Sequence, residues 1–192
     1  MTSPSLLPFI QLVNLKHDTF YSIVDIIGQK MTSSWMLPKS TKIVIFLMSV
    51  KENITFDIIS AMLDISEGSA KEAFLEVLEA INDITLPNKW TESPLIYTWQ
   101  ISSKRPGFCL AVIDSMNGLV TFISKIIKDR KKLLERSGFL NYIPKNVRIN
   151  CFEKCPETMN NFYASQNVIK SMSIYQNDIL KAVMFLSNIL KT

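Results

Sequence analysis

A chain of 192 residues, 47% hydrophobic and 20% charged, has the size and composition of one folded domain and not of a disordered chain. Its net charge of +4 is milder than a dedicated nucleic-acid binder concentrates. No run reaches the ~18 apolar residues needed to cross a bilayer, and the opening MTSPSLLPFIQLV lacks a basic region and a cleavage site, so a soluble intracellular protein without a signal peptide is expected.

In chain order, residues 14–36 place Phe20, Ile23, Val24 and Ile27 at helical spacing, with Asp18 as a candidate N-cap and Gly28 near the end. KIVIFLMSV, residues 42–50, is an unbroken apolar run that suits a strand buried on both faces, although a short buried helix gives the same signal. Residues 55–63 and 70–81 read as helices broken around Gly68. Residues 82–106 form a loop-rich patch with Pro87, Pro94 and Pro106, holding LIYTWQI as a strand. FCLAVID, residues 108–114, is a second buried strand. Residues 118–136 carry Leu119, Phe122, Ile123, Ile126, Ile127, Leu133 and Leu134 at the spacing of one long amphipathic helix, basic on its other face. VRINCF, residues 147–152, reads as a strand, 158–171 as a helix, 173–175 as a short strand and 179–190 as a closing helix.

Alternating strands and helices predict an α/β fold: a mostly parallel sheet flanked by helices over residues 41–192, preceded by an N-terminal helical extension over 1–40. Ligands of such sheets sit beyond the carboxyl ends of the strands. A phosphate loop would need glycines and a lysine there. The chain has SVKENITF instead, with Ser49, Lys51, Ile54 and Thr55 where the cradle would lie and no glycine among them.

From Lys42 to Lys191 the order of elements resembles a small Ras-type GTPase domain, with GFCLAVIDSMNGLVTFISKIIKDR similar to its fourth strand and helix. NVRINCFEKC lies where that family reads guanine, but Phe152, Lys154 and Cys155 replace the base-binding pattern. A GTPase-like chain that has lost its nucleotide site resembles the centromere protein M family, pseudo-GTPases of the inner kinetochore. KIVIFLMSVKEN, DITLPNKW and KRPGFCLAVID carry that likeness. It implies a non-enzymatic structural subunit, without cofactor or metal, that meets helical protein partners in the nucleus, touches nucleic acid only indirectly, and has no membrane association.

Plainer readings accompany the sharper ones. Asp114 ends a strand and suits a capping group better than a magnesium ligand without a phosphate loop. His17 is the sole histidine and is expected at a solvated helix start. Cys151 and Cys155 have metal spacing, but Cys109 is the only further thiol, so three buried thiols in a reducing compartment are expected. Lys125, Lys128, Lys132 and Arg136 form a candidate contact face for protein or nucleic acid. Phe9, Trp35, Trp90 and Trp99 fall in or beside loops, where they would fill small cores or anchor a partner.

A rival reading takes residues 40–81 as a DNA-binding helix-turn-helix of transposase-derived or TFIIB-like type. Its first helix spans 41–49, its turn Ser66–Ser69, and AKEAFLEVLEAI is the recognition helix. Three glutamates against one lysine make that helix a poor face for phosphates.

Overall fold

Residues Lys39–Glu52, which hold the apolar run expected to be a first strand, are a helix of 14 residues. In the computed structural model the described residues are 5–32, 37–84, 94–101, 107–143, 150–156, 159, 162–167 and 169–190. The chain divides into two units, Met1–Thr85 and Leu86–Thr192. That division falls in the loop-rich patch, whereas the sequence reading drew its boundary after residue 40.

The first unit is helical: α1 (Leu7–Leu12), α2 (His17–Gly28), α3 (Lys39–Glu52), α4 (Phe56–Leu63) and α5 (Glu67–Asn82). Every residue of α3 from Thr41 to Val50 is buried. A helix covered on all sides has no polar face, so it carries no helical period and looks like a buried strand. Its length decides against a strand, since strands run about 4–8 residues. Phe74 of α5 packs on Phe46 of α3 and edge-on against Phe56 of α4, with ring centroids 4.8 and 5.5 Å apart. Asn53 and Asp64 end α3 and α4 in the left-handed conformation, which Asn and Asp tolerate better than most residues. The three helices α3, α4 and α5 lie where the helix-turn-helix reading drew them, with the turn at 64–66 and Gly68 inside α5. Ser66 caps α5 by accepting from the Ser69 N–H at 3.0 Å.

The second unit holds the only sheet among the described residues. Its strands are β1 (Pro94–Ile101), β2 (Gly107–Asp114), β3 (Val120–Ile123) and β4 (Asn150–Phe152), in the order β3-β2-β1-β4. Only β1 and β4 are parallel; β1–β2 and β2–β3 are antiparallel. The expected mostly parallel α/β sheet is therefore overturned, and with it the strand order on which the GTPase-like resemblance rested. LIYTWQI and FCLAVID are strands as read, but paired with each other as neighbours, Trp99 opposite Cys109 and Ile96 opposite Val112.

The long helix expected over 118–136 is not formed. Residues 120–123 are strand β3, and only a 3-10 turn (Arg130–Lys132) and the short helices α6 (Leu133–Arg136) and α7 (Phe139–Tyr142) follow. Val120, Thr121, Phe122, Ile123, Ile126 and Ile127 are β-branched or aromatic, and edge pairing with β2 satisfies them better than a helix would. Gly118, at φ +70°, makes the turn into β3. One face of the sheet packs Ile96, Leu110 and Val112 against Leu133 and Phe139. Of the segment expected as a helix at 158–171, α8 (Tyr163–Gln166) is the α-helix described, and 173–175 lie in a 3-10 segment, Lys170–Tyr175, not a strand. The closing helix α9 (Gln176–Ile189) matches its expectation.

Candidate nucleic-acid interface

Counted over each unit, the mild net charge separates into two opposed ones. Residues 1–85 hold six lysines and ten carboxylates, a net −4; residues 86–192 hold fifteen lysines and arginines and seven carboxylates, a net +8. Within the second unit the densest run is 125–136, where Lys125, Lys128, Arg130, Lys131, Lys132 and Arg136 are all exposed, against two carboxylates, Asp129 and Glu135.

The backbone of this run is held to the sheet at several points. Phe108 and Ile127 exchange two hydrogen bonds, with Phe108 N donating to Ile127 O at 2.8 Å and Ile127 N to Phe108 O at 2.9 Å. Ser124 Oγ accepts from Leu110 N at 2.9 Å and donates to Lys125 O at 2.9 Å. Helix α9 closes the open side. Its Asn188 side chain bonds both N–H and C=O of Val120, at 2.7 and 2.9 Å, much as a neighbouring strand would. Its Asn177 accepts from Ile126 N at 3.0 Å. Leu133 then buries itself beside Phe139. The cations thus extend from an anchored backbone, and less order has to be imposed when an anion binds.

Two of the six cations have carboxylate partners: Arg130 with Glu153, and Lys132 with Asp129 at 4.0 Å. Among the described residues Lys125, Lys128, Lys131 and Arg136 have none. Arg130 and Glu153 also border a cavity of about 160 Å³, which Thr98, Gln100, Phe108 and Leu133 line as well.

The other residues singled out from the sequence do not converge. Ser49, Lys51, Ile54 and Thr55 belong to the end of α3 and its exit in the first unit; Phe152, Lys154 and Cys155 belong to the second. Ser49 is buried and donates to Ile54 O at 3.4 Å, and burial holds the Lys51 ammonium below its ordinary pKa. Asp114 closes the β2–β3 turn, its Oδ1 accepting from Met116 N at 3.0 Å. His17 opens α2 and its ring lies 4.7 Å from that of Tyr21. Cys109 and Cys155 are buried, but Cys151 is exposed, against the expectation of three buried thiols. Among the described residues no group of three His, Cys, Asp or Glu side chains could hold a metal. Phe9 is half-buried in α1 and Trp99 is buried on β1, while Trp35 and Trp90 lie outside the described residues. Sequence reasoning named four of the six exposed cations and missed Arg130 and Lys131; an assumed helix face selected the four, and the segment is not a helix.

No helix among the described residues is long and apolar enough to cross a membrane. Comparison with known proteins finds no matching family model, no similar curated protein and no similar solved structure.

Proposed function

We propose that this chain is a non-enzymatic nucleic-acid-binding protein whose second unit contacts the phosphate backbone through residues 125–136. The segregation of charge, −4 against +8, is the observation that carries this reading. The helical order of α3, α4 and α5 supports the same class of partner, but α5 exposes Glu67, Glu72 and Glu79, and its Lys71 pairs with Glu67 at 2.7 Å. Phosphates are therefore assigned to the basic run and not to α5. Binding of the full chain to labelled duplex and single-stranded oligonucleotides, followed by fluorescence anisotropy across a salt series, tests the reading. A log–log salt slope of about −3 to −5 is expected, and Lys128→Glu/Lys131→Glu should flatten it by about 2. Absence of binding at low salt, or a slope that ignores the charge reversal, overturns it.

A second reading, a structural subunit docked on other proteins, is favoured by α4. Ile58 and Met62 lie one turn apart there and are 50% and 42% exposed. Copurification with native partners checks it: a contact made through α4 is lost in the Ile58→Asp/Met62→Asp variant.

A further inference from the structure

We infer that the cavity bordered by Arg130 and Glu153 receives one unpaired nucleobase, so that the partner of the basic run is single-stranded nucleic acid. This rests on the phosphate-binding reading above and adds to it a base site and a strandedness. At about 160 Å³ the cavity is well below the roughly 300 Å³ at which small-molecule pockets begin, and it suits one planar ring system better than a dinucleotide.

Its lining has the chemistry a base requires. Half-buried Phe108 contributes an aromatic ring to the lining, and Arg130 supplies a planar cation on which a base stacks. Glu153 accepts N–H groups, which favours guanine, whose adjacent N1–H and N2–H2 groups both donate, over thymine, whose single N3–H lies between two carbonyls. The Arg130–Glu153 ion pair is 55% and 72% exposed on its two sides, so water screens it and an entering base can part it. Arg130 belongs to the basic run itself, so a base in the cavity leaves its sugar-phosphate beside the exposed lysines. A duplex keeps its bases stacked and paired and has none to offer a cavity; single strands present theirs at little cost.

The experiment compares the full chain's affinity for twelve-nucleotide single strands rich in guanine or thymine, as DNA and as RNA, with that for a matched duplex. The guanine-bearing strand should bind at least tenfold more tightly than the duplex. Gln100→Trp, which fills the cavity from an exposed position, should bring the single-strand to duplex ratio down about tenfold, and Glu153→Gln should narrow the guanine-over-thymine preference. Phe108→Leu, which removes the aromatic face and leaves an apolar side chain against the Leu133–Phe139 cluster, should act in the same direction, and a thermal unfolding curve for each variant separates lost binding from lost folding. If all three variants retain the wild-type ratios while Lys128→Glu/Lys131→Glu weakens binding, the base site is refuted and the phosphate reading stands. If the wild-type chain binds neither strand form, both fall together.

Discussion

Lys42 on α3 donates through Nζ to Oε2 of Glu76 on α5, and the lysine side chain is only 5% exposed. The second carboxylate oxygen, Oε1 of Glu76, is buried without a hydrogen-bond partner. Removing one member leaves an uncompensated charge inside the helical unit, whereas removing both leaves only a packing problem. Lys42→Met is therefore expected to lower unfolding free energy by about 3 kcal/mol, and Lys42→Met/Glu76→Leu to recover most of that loss. Urea unfolding of the four proteins in the cycle checks this; additive losses would count against the coupling.

Gly107 opens β2 where residues 125–127 cross it. A Cβ at that position would meet Ile126 Cγ2 far inside contact distance. Gly107→Ala should cost about 1–3 kcal/mol and loosen the basic run from the sheet. Ile126→Ala added to it should return stability, because the clash is with that side chain's branch. Thermal unfolding of the single and double variants reads the difference.

Ser66 satisfies one of the N–H groups that the first turn of α5 leaves open. Ser66→Ala is expected to cost about 1 kcal/mol and Ser66→Asp to be nearly neutral, measured by urea unfolding.

Burial in β2 pushes the Cys109 thiol up to about 12, against an ordinary 9.0, and its Sγ donates to Ser124 O at 3.4 Å. Cys151 on β4 is exposed. A thiol reagent at pH 8 should modify Cys151 rapidly and Cys109 only after unfolding, as peptide mapping will show. The same shift has a sign for stability. Below pH 9 both native and unfolded Cys109 are protonated and nothing changes. Between 9 and about 12 the unfolded thiol ionises while the native one does not, so stability falls as pH rises. Cys109→Ala should remove that part of the alkaline loss.

How much of this was legible depended on whether one signal or two had to be separated. The helices of residues 17–28 and 67–82 have one buried and one exposed face, so their period is written in the residues, as at Phe20, Ile23 and Ile27. LIYTWQI and FCLAVID are short, β-rich and bounded by turn residues, and they are strands. Lys39–Glu52 and 118–136 failed for opposite reasons. The first has no polar face from which to read a period. The second has helical spacing of apolar residues, yet its β-branched side chains pair with β2.

The candidate site was partly visible. The density of lysine and arginine at 125–136 lies in the residues themselves, as does the absence of a glycine phosphate loop. Which of those cations stand exposed, and that Arg130 and Glu153 share the rim of one cavity, depends on a sheet that brings residues 23 apart in sequence together.

By itself the sequence determined composition, charge and local preference: which segments could be helices, which could be strands, and where basic residues crowd. Tertiary structure alone decided that the most apolar segment is a central helix, that β1 and β2 are antiparallel neighbours, and that the charge divides between two units. The physical reason is that a fully buried segment takes its conformation from the partners surrounding it, and those partners lie far along the chain, where local patterns carry no information about them.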